Sequence, residues 1–207
     1  MGGDNPEPTH ASGPTDFVRR LPIGERLPLG NLLEDELFPF DGQIAVKPLE
    51  APRLPEPARR GEPGGAPCPA CEGQGEGVVW EDENWHLLVD PDPHGLPMVA
   101  VLLPKAHHDI EDLPPELTAE LGPLLQRVSR AIGRIESVGR VHINRWGDGS
   151  LHFHVWFLAR PRGMWQMRGA MLAVWDDVLP KLPVPEWAAN REKVARAVAA
   201  EGGTANL

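Results

Sequence analysis

The chain lacks tyrosine altogether, has only two cysteines and contains no long apolar run. Cys68 and Cys71 are three residues apart, so a disulfide between them would not close the long loop through which a disulfide stabilises a fold. A membrane-spanning helix needs about 20 consecutive apolar residues, and no segment approaches that length. The first 25 residues are polar, rich in Gly and Pro, and lack an apolar signal-peptide core. We therefore expect a cytoplasmic protein with no membrane partner.

Positive charge is also scarce. The chain has 20 Lys and Arg residues against 30 Asp and Glu residues, which gives a formal net charge of -10. Long-range repulsion makes such a chain a poor binder of nucleic-acid backbone or of an anionic membrane. A single anionic ligand can still bind where donors are concentrated locally. We expect no nucleic-acid partner.

The chain divides by composition into four predicted segments. Residues 1–16 are small and polar and predict a disordered tail. Residues 17–67 predict an extended Pro-rich arm and linker, in which 50–67 forms a linker or surface loop. The pattern becomes strand-like and helical at 68–165, and a helical extension is predicted at 166–207.

The segment from Cys68 onward alternates short strands with one long helix. Apolar residues at steps of three and four predict a helix that opens at Pro114 and ends at Gly139. The predicted strands are Val78–Trp80, Trp85–Val89 (a hairpin with the first), Met98–Leu103, Arg140–Asn144 and Leu151–Leu158, and later helices are predicted at Gln166–Leu179 and Glu186–Ala200. This order favours an α+β fold, an antiparallel sheet with the helix on one face.

The Cys68-Pro-Ala-Cys71 motif can clasp one zinc ion through two thiolates. The alternatives are a redox dithiol or two ordinary buried cysteines. A redox motif is expected where a strand meets a helix, whereas Gly73, Gly75 and Gly77 follow here and predict no helix. A zinc site would need two further ligands.

Two histidines, His152 and His154, lie two apart on a predicted apolar strand, so we expect their side chains on one face. Two imidazoles on a buried face are costly unless each has a partner, which indicates a metal-binding or catalytic role. His107 and His108 follow another buried strand, and one of them is a candidate third or fourth ligand.

Several motifs, in this order and spacing, resemble the histidine triad (HIT) superfamily, in particular its zinc-containing hydrolases and the related galactose-1-phosphate uridylyltransferases. The resemblance covers about half of the chain, from Cys68 to Arg160, and implies a HIT-like antiparallel sheet with a central helix on one face. The N-terminal arm and the C-terminal helices lie outside it. The matching segments are Val79–Asp90 (first hairpin), Leu102–His107 (the P-K-x-H strand end), the helix from Pro114, Asn144–Ser150 (the N-x-G-x-x-G loop) and His152–Arg160 (the H-x-H-x-H-x-x-P-R pattern).

The resemblance implies a zinc ion held by Cys68, Cys71, His107 and His152. A complete set of four protein ligands is typical of a structural zinc, with no open position for water.

The resemblance also implies a nucleotide or nucleotide ester as the small-molecule partner. His154 corresponds to the nucleophile that attacks the α-phosphate and forms a covalent nucleotidyl-histidine, with Ser150 and Trp156 at the other catalytic positions. Asp90 corresponds to the residue that binds the ribose, and Asn144, Gly149 and Ser150 complete the nucleotide-binding set. Family members are often dimers, so the resemblance also implies a homodimer as a candidate assembly.

Two departures from the family pattern bear on function. Trp156 stands where the family has His, or Gln in the uridylyltransferases, and an indole N–H donates one hydrogen bond but cannot shuttle a proton. Only Leu151 separates Ser150 from His152, where the family usually has two residues, and this spacing bears on whether the Ser150 hydroxyl reaches the phosphate-contacting place. We expect a nucleotidyl hydrolase or transferase; the alternatives are a catalytically impaired nucleotide-binding or interaction protein and a different chemistry with a metal at His152 and His154.

Overall fold

A computed structural model describes residues 13–14, 16–73 and 77–207. The predicted disordered tail 1–16 lies almost entirely outside the described residues, as does Gly75. None of the helices in the described ranges combines the length and apolar character that crossing a membrane requires.

A six-stranded antiparallel sheet organises the chain, in the order β4-β5-β3-β2-β1-β6, and the predicted α+β class is confirmed. The strands are β1 Val78–Glu81, β2 Trp85–Leu88, β3 Val99–Pro104, β4 Val138–Asn144, β5 Val155–Pro161 and β6 Thr204–Ala205. The α-helices are α1 Asp16–Arg19, α2 Pro69–Glu72, α3 Pro115–Ile132, α4 Leu172–Val178 and α5 Val184–Ala199.

The β1–β2 hairpin forms where it was predicted. The Asp82 carboxylate accepts the backbone N–H groups of Asn84 (2.9 Å) and Trp85 (2.8 Å), the bonding by which Asp closes a tight turn. Trp80 and Trp85, which flank the turn, are fully buried and anchor the hairpin in the core.

The central helix α3 begins at the predicted prolines and runs through Pro123 without a break. It ends at Ile132, with Gly133 as cap, rather than at Gly139, which lies in β4. Ile135 lies in the turn after the helix but is buried in the core, so it continues the three- and four-residue spacing of apolar residues. This spacing therefore did not mark the C-terminal end of α3.

The C-terminal segment is built into the same sheet and core. Helix α5 packs against α3 and β1, and β6, which was not predicted, adds a strand to β1. The predicted helix Gln166–Leu179 is instead two 3-10 turns, Trp165–Met167 and Gly169–Met171, followed by α4. The division of the chain at 165/166 stays a prediction.

The arm contacts the rest of the molecule at several points. The arm contains a 3-10 turn at Leu32–Glu34, and the Leu37 carbonyl accepts the indole N–H of Trp175 at 3.2 Å. Farther along, Arg60 forms a β-bridge with Ser150. The predicted linker therefore reaches the loop that precedes the two histidines.

Candidate zinc centre and catalytic site

Cys68 and Cys71 are brought together by a single helical turn, α2. The Cys68 carbonyl accepts the N–H groups of Cys71 (3.1 Å) and Glu72 (3.0 Å), and Pro69 begins the turn, where its missing N–H is not needed. The expectation that no helix starts at the motif is therefore wrong, because Gly73 ends the helix after one turn rather than preventing it.

Four side chains from distant parts of the chain meet at this turn. The ligand atoms of Cys68, Cys71, His107 and His152 all lie within 4.8 Å of one another. The Nδ1 atom of His152 is 3.5 Å from the sulfur of Cys68 and 3.6 Å from that of Cys71, and the Nδ1 atom of His107 is 3.3 Å from the Cys71 sulfur. Zinc bonds of about 2.3 Å to sulfur and about 2.0–2.1 Å to nitrogen separate tetrahedral S and N ligands by about 3.5 Å. The observed spacing fits a zinc tetrahedron.

The tautomer of His152 also fits a metal ligand. Its Nε2 lies 2.8 Å from the Pro104 carbonyl, which can only accept, so Nε2 carries the proton and Nδ1 keeps a lone pair on the side of the sulfurs, where it can bind a metal. Burial lowers the pKa of His152 and so favours the neutral ring that binds metal.

The Cys71 thiol needs a nearby cation to ionise near neutral pH. Burial and the neighbouring Cys68 raise the pKa of Cys71 to about 11. A bound Zn²⁺ would favour the thiolate over the thiol, because a thiol that coordinates zinc loses its proton. The residues present therefore fit a zinc ion held by four protein ligands.

The linker closes over this centre at Gly61, a contact that the sequence did not indicate. Gly61 has a φ of +88°, and a Cβ there would lie 2.6 Å from Cε1 of His107 and 3.2 Å from Cβ of Cys68. Only a residue without a side chain allows the backbone to come so near.

His152 and His154 are not on a strand, which corrects the prediction, because β5 begins at Val155 rather than Leu151. The backbone N–H groups of the preceding residues are bonded to loops instead: Leu151 donates to Arg60 (2.9 Å) and Phe153 to His108 (2.6 Å). His152 lies between these two anchors, and His154 directly follows the second.

His154 is partly buried, and its Nδ1 lies 2.8 Å from the His152 carbonyl. Since the carbonyl only accepts, Nδ1 carries the proton and Nε2 keeps its lone pair. The ring of Trp156 lies 6.3 Å from that of His154, edge to face, and 6.2 Å from the ring of Trp146. The indole of Trp156 therefore stands beside the candidate nucleophile and packs against a second indole, Trp146, which sequence reasoning did not identify.

The predicted nucleotide-binding residues lie at separate places. Asn144 pairs with Trp156 across β4 and β5, in one row of the sheet that continues through Val101 to Leu88. Asp90 comes two residues after Leu88, the last member of this row, and its carboxylate accepts the N–H of Asp92 at 2.9 Å. Within the described ranges, no hydrogen bond or ion pair joins Asp90 to His154.

The loop before His152 is bonded to the linker. The Ser150 hydroxyl donates to the Arg60 carbonyl at 3.4 Å, and the Gly149 carbonyl accepts the Arg60 N–H at the same distance. Ser150 thus uses its hydroxyl on the backbone of the linker, in accord with the shortened spacing to His152.

Asp109 holds the same loop from the other side. Its carboxylate binds Arg59 at 2.8 Å and Arg145 at 2.5 Å, and Arg59 also donates to the Gly147 carbonyl at 3.0 Å. Burial alone would raise the pKa of Asp109, but the Ile110 N–H and Arg59 outweigh it and lower the pKa. These positioning residues belong to no recognisable motif, and only the structure reveals them.

Neither the family models nor the curated proteins include a match to this chain. Among solved structures, a zinc-bound histidine triad family protein from Mycobacterium smegmatis is 20% identical, with a TM-score of 0.47, over 65% of this chain and 96% of its own. A histidine triad protein from Bradyrhizobium japonicum is 21% identical, with a TM-score of 0.47, over 58% and 89%. A uridylyltransferase mutant is 19% identical, with a TM-score of 0.45, over 64% and 47%. The chain resembles histidine triad proteins.

Proposed function

We propose that the protein is a nucleotidyl hydrolase or transferase that acts on the α-phosphate of a nucleotide ester through a covalent intermediate on His154. The observation that carries the proposal is the His154 ring, whose Nδ1–H bonds the His152 carbonyl and leaves Nε2 as the nucleophilic atom. A partly buried imidazole in a fixed tautomer is prepared for attack on phosphorus.

The reaction would proceed in two displacements. His154 Nε2 attacks the α-phosphorus, the bond to the leaving group breaks, and the leaving group takes the electron pair. The His152 carbonyl stabilises the positive charge that develops on the ring. Water or a second phosphate then attacks the phosphorus and releases His154, which makes the protein a hydrolase or a transferase respectively.

A structural zinc ion would be held by Cys68, Cys71, His107 and His152. The ion would bind these segments together, and its chemistry would be confined to that role because the protein supplies all four ligands. His152 links the two parts of the site, since its ring belongs to the metal cluster and its carbonyl orients His154.

Trp156 restricts the leaving group. Its indole donates a hydrogen bond but has no proton to transfer, and general acid catalysis is worth about 10²–10⁴ in rate. We infer that the substrate has a leaving group that departs without protonation.

The test is intact-mass spectrometry after incubation with adenylyl or uridylyl donors. We expect a nucleotide adduct that His154→Ala abolishes and that His86→Ala, which removes another half-buried histidine of the same domain, retains. An adduct of equal yield in His154→Ala would contradict the proposal.

A second candidate function follows from Trp156 itself. The indole stands beside His154 and packs near Trp146, and this bulk would favour a nucleotide-binding or interaction protein without turnover. Nucleotide binding by calorimetry, with neither adduct nor product, would support this alternative.

A homodimer and a cytoplasmic location stay predictions. β4 is an edge strand of the sheet, and Ile143 on it is 43% exposed, so this edge is where a second copy would pair. Light scattering after gel filtration would measure the mass in solution.

A further inference from the structure

A basic cleft of about 460 Å³ lies at the end of the β4–β5 pair. Its walls include the side chains of Arg140, His142, Arg160, Arg162, Trp165 and Arg168. Four guanidinium groups around one opening contrast with the formal charge of -10 on the whole chain.

Arg160 is the buried member of this group, with 8% of its surface exposed. Its Nη1 donates to the carbonyls of Pro161 (3.0 Å) and Met164 (3.1 Å), which hold the guanidinium in place without neutralising it. In the part of the chain that the structure describes, no carboxylate forms an ion pair with it. A buried charge without a counterion is unfavourable, so this group favours an anion in the adjacent space.

The backbone beside Arg160 is shaped to admit its side chain. A Cβ at Gly139 would lie 3.0 Å from Nη2 of Arg160 and 3.0 Å from Cα of Arg162. The Arg162 N–H donates to the Ser137 carbonyl at 2.7 Å and fixes the turn that follows β5. The position of the guanidinium is thus determined by the backbone of both strands.

Two of the remaining arginines also have no carboxylate partner within the described ranges, namely Arg140 and Arg162. Arg168 pairs with Glu36 and stacks on Trp165, its guanidinium 4.2 Å from the ring. Three of the four positive charges are therefore available to a ligand.

The cleft shares a sheet face with the candidate catalytic site. The pairs Asn144–Trp156, His142–Leu158 and Arg140–Arg160 follow one another at two-residue steps, so their side chains point to the same side. At about 3.3 Å per residue, Arg160 lies roughly 13 Å along the strand from Trp156. The cleft is therefore distinct from the place of His152 and His154.

We propose that this cleft binds the phosphate group of a small phosphorylated ligand. Arginine presents planar pairs of N–H donors that match phosphate oxygens, and it cannot be neutralised by losing a proton. The overall negative charge repels an extended polyanion such as a nucleic acid, whereas a compact dianion meets only the local donors. The inference does not depend on chemistry at His154.

The test is isothermal titration calorimetry with pyrophosphate at low salt. We expect binding to the unmodified protein and a loss of roughly tenfold or more in affinity for the double variant Arg140→Gln, Arg162→Gln. Both side chains are exposed, so the variant should fold. Arg196→Gln removes one charge from an exposed position on α5, outside the cleft, and should change the affinity by less than about twofold.

Two further measurements locate the ligand. Pyrophosphate should still bind to His154→Ala, and in NMR spectra it should shift the ring signals of His142, which lines the cleft. Binding that His154→Ala abolishes, or that the arginine double variant leaves unchanged, would overturn the proposal. A single-stranded oligonucleotide that binds more tightly than pyrophosphate at the same salt would overturn it as well.

Discussion

Three consecutive side chains, His152, Phe153 and His154, extend from one short segment into three environments. His152 reaches the sulfurs of the metal cluster, Phe153 is 2% exposed and packs on Trp85, and His154 lies partly buried beside Trp156. The buried phenylalanine fixes the segment between the two histidines. The metal cluster and the candidate nucleophile therefore have a common support.

Replacing Trp156 by His would supply the missing proton donor. Trp156→His should raise kcat/KM for nucleotide esters with basic leaving groups by up to about 10²–10⁴ and change little for leaving groups that depart as stable anions. The measurement is kcat/KM across a series of esters that differ in leaving-group pKa. Trp156→Phe, which keeps an aromatic ring, is the control; an equal gain in both variants for every ester would show that bulk, and not proton transfer, limits the enzyme.

The linker, residues 50–67, is the element whose observed contacts differ most from the role that the sequence predicted. Residues 50–67 lack apolar periodicity and predicted a linker or surface loop, yet Gly61 packs against the metal ligands and Arg60 pairs with the loop before His152. Its contacts are backbone hydrogen bonds, a close approach of glycine and the polar contacts of the Arg59 side chain, none of which leaves a periodic trace in a sequence.

A comparison of two glycines of the linker tests this packing. Gly61 and Gly64 have similar φ values, +88° and +82°, but a Cβ at Gly61 meets His107 whereas a Cβ at Gly64 meets nothing within 4 Å. Both alanine variants carry the same backbone strain, so their difference reports the clash. Gly61→Ala should lower the free energy of unfolding by about 1–3 kcal/mol more than Gly64→Ala.

Urea denaturation of the metal-loaded variants is the measurement. Equal destabilisation by the two substitutions would mean that the linker does not press on the metal ligands.

The Asp109 carboxylate joins the linker to the loop at residues 145–149 and makes their stability sensitive to acid. Asp109→Asn removes both ion pairs and should cost about 1–3 kcal/mol at neutral pH. The pKa of Asp109 is lowered below its ordinary 3.8, so its contribution is complete above that value and is lost as the pH falls through the folded-state pKa.

The difference in stability between the unmodified protein and Asp109→Asn should therefore shrink below about pH 4. Denaturation curves at several pH values measure it. Asp148→Asn, which changes an exposed carboxylate of the same loop, should have the same stability as the unmodified protein at every pH. A stability difference between the unmodified protein and Asp109→Asn that stays constant into acid would contradict the ion-pairing role of Asp109.

At the scale of the whole molecule, the parts that sequence reasoning predicted are those set by local patterns. The short strand-like runs, the hairpin between the first two of them and the apolar stripe of α3 predicted most of the sheet and its central helix. The strand β6 could not be predicted, because two residues carry no period and the strand exists only through its pairing with β1. The basic cleft likewise arises from the register of β4 against β5, which places Arg140 opposite Arg160.

The cluster of Cys68, Cys71, His107 and His152 brings together three segments that are distant along the chain. These are α2, the segment after β3 and the segment before β5. Cys68 and His152 are buried there, at 7% and 2% exposure, so without a metal ion these close polar groups would have no common partner. We expect the protein as purified to carry about one zinc per chain, and chelation to lower the melting temperature by several degrees or more.

The ligand set is tested by two neighbouring histidines. His107→Ala should abolish stoichiometric zinc, whereas His108→Ala, which removes a histidine outside the cluster, should retain it. Elemental analysis and thermal melts with and without chelator measure both. Because the thiols must ionise and the imidazoles must be neutral to bind, metal should also be released as the pH falls. Zinc that persists in His107→Ala would place the ion elsewhere and would remove the support on which the orientation of His154 depends.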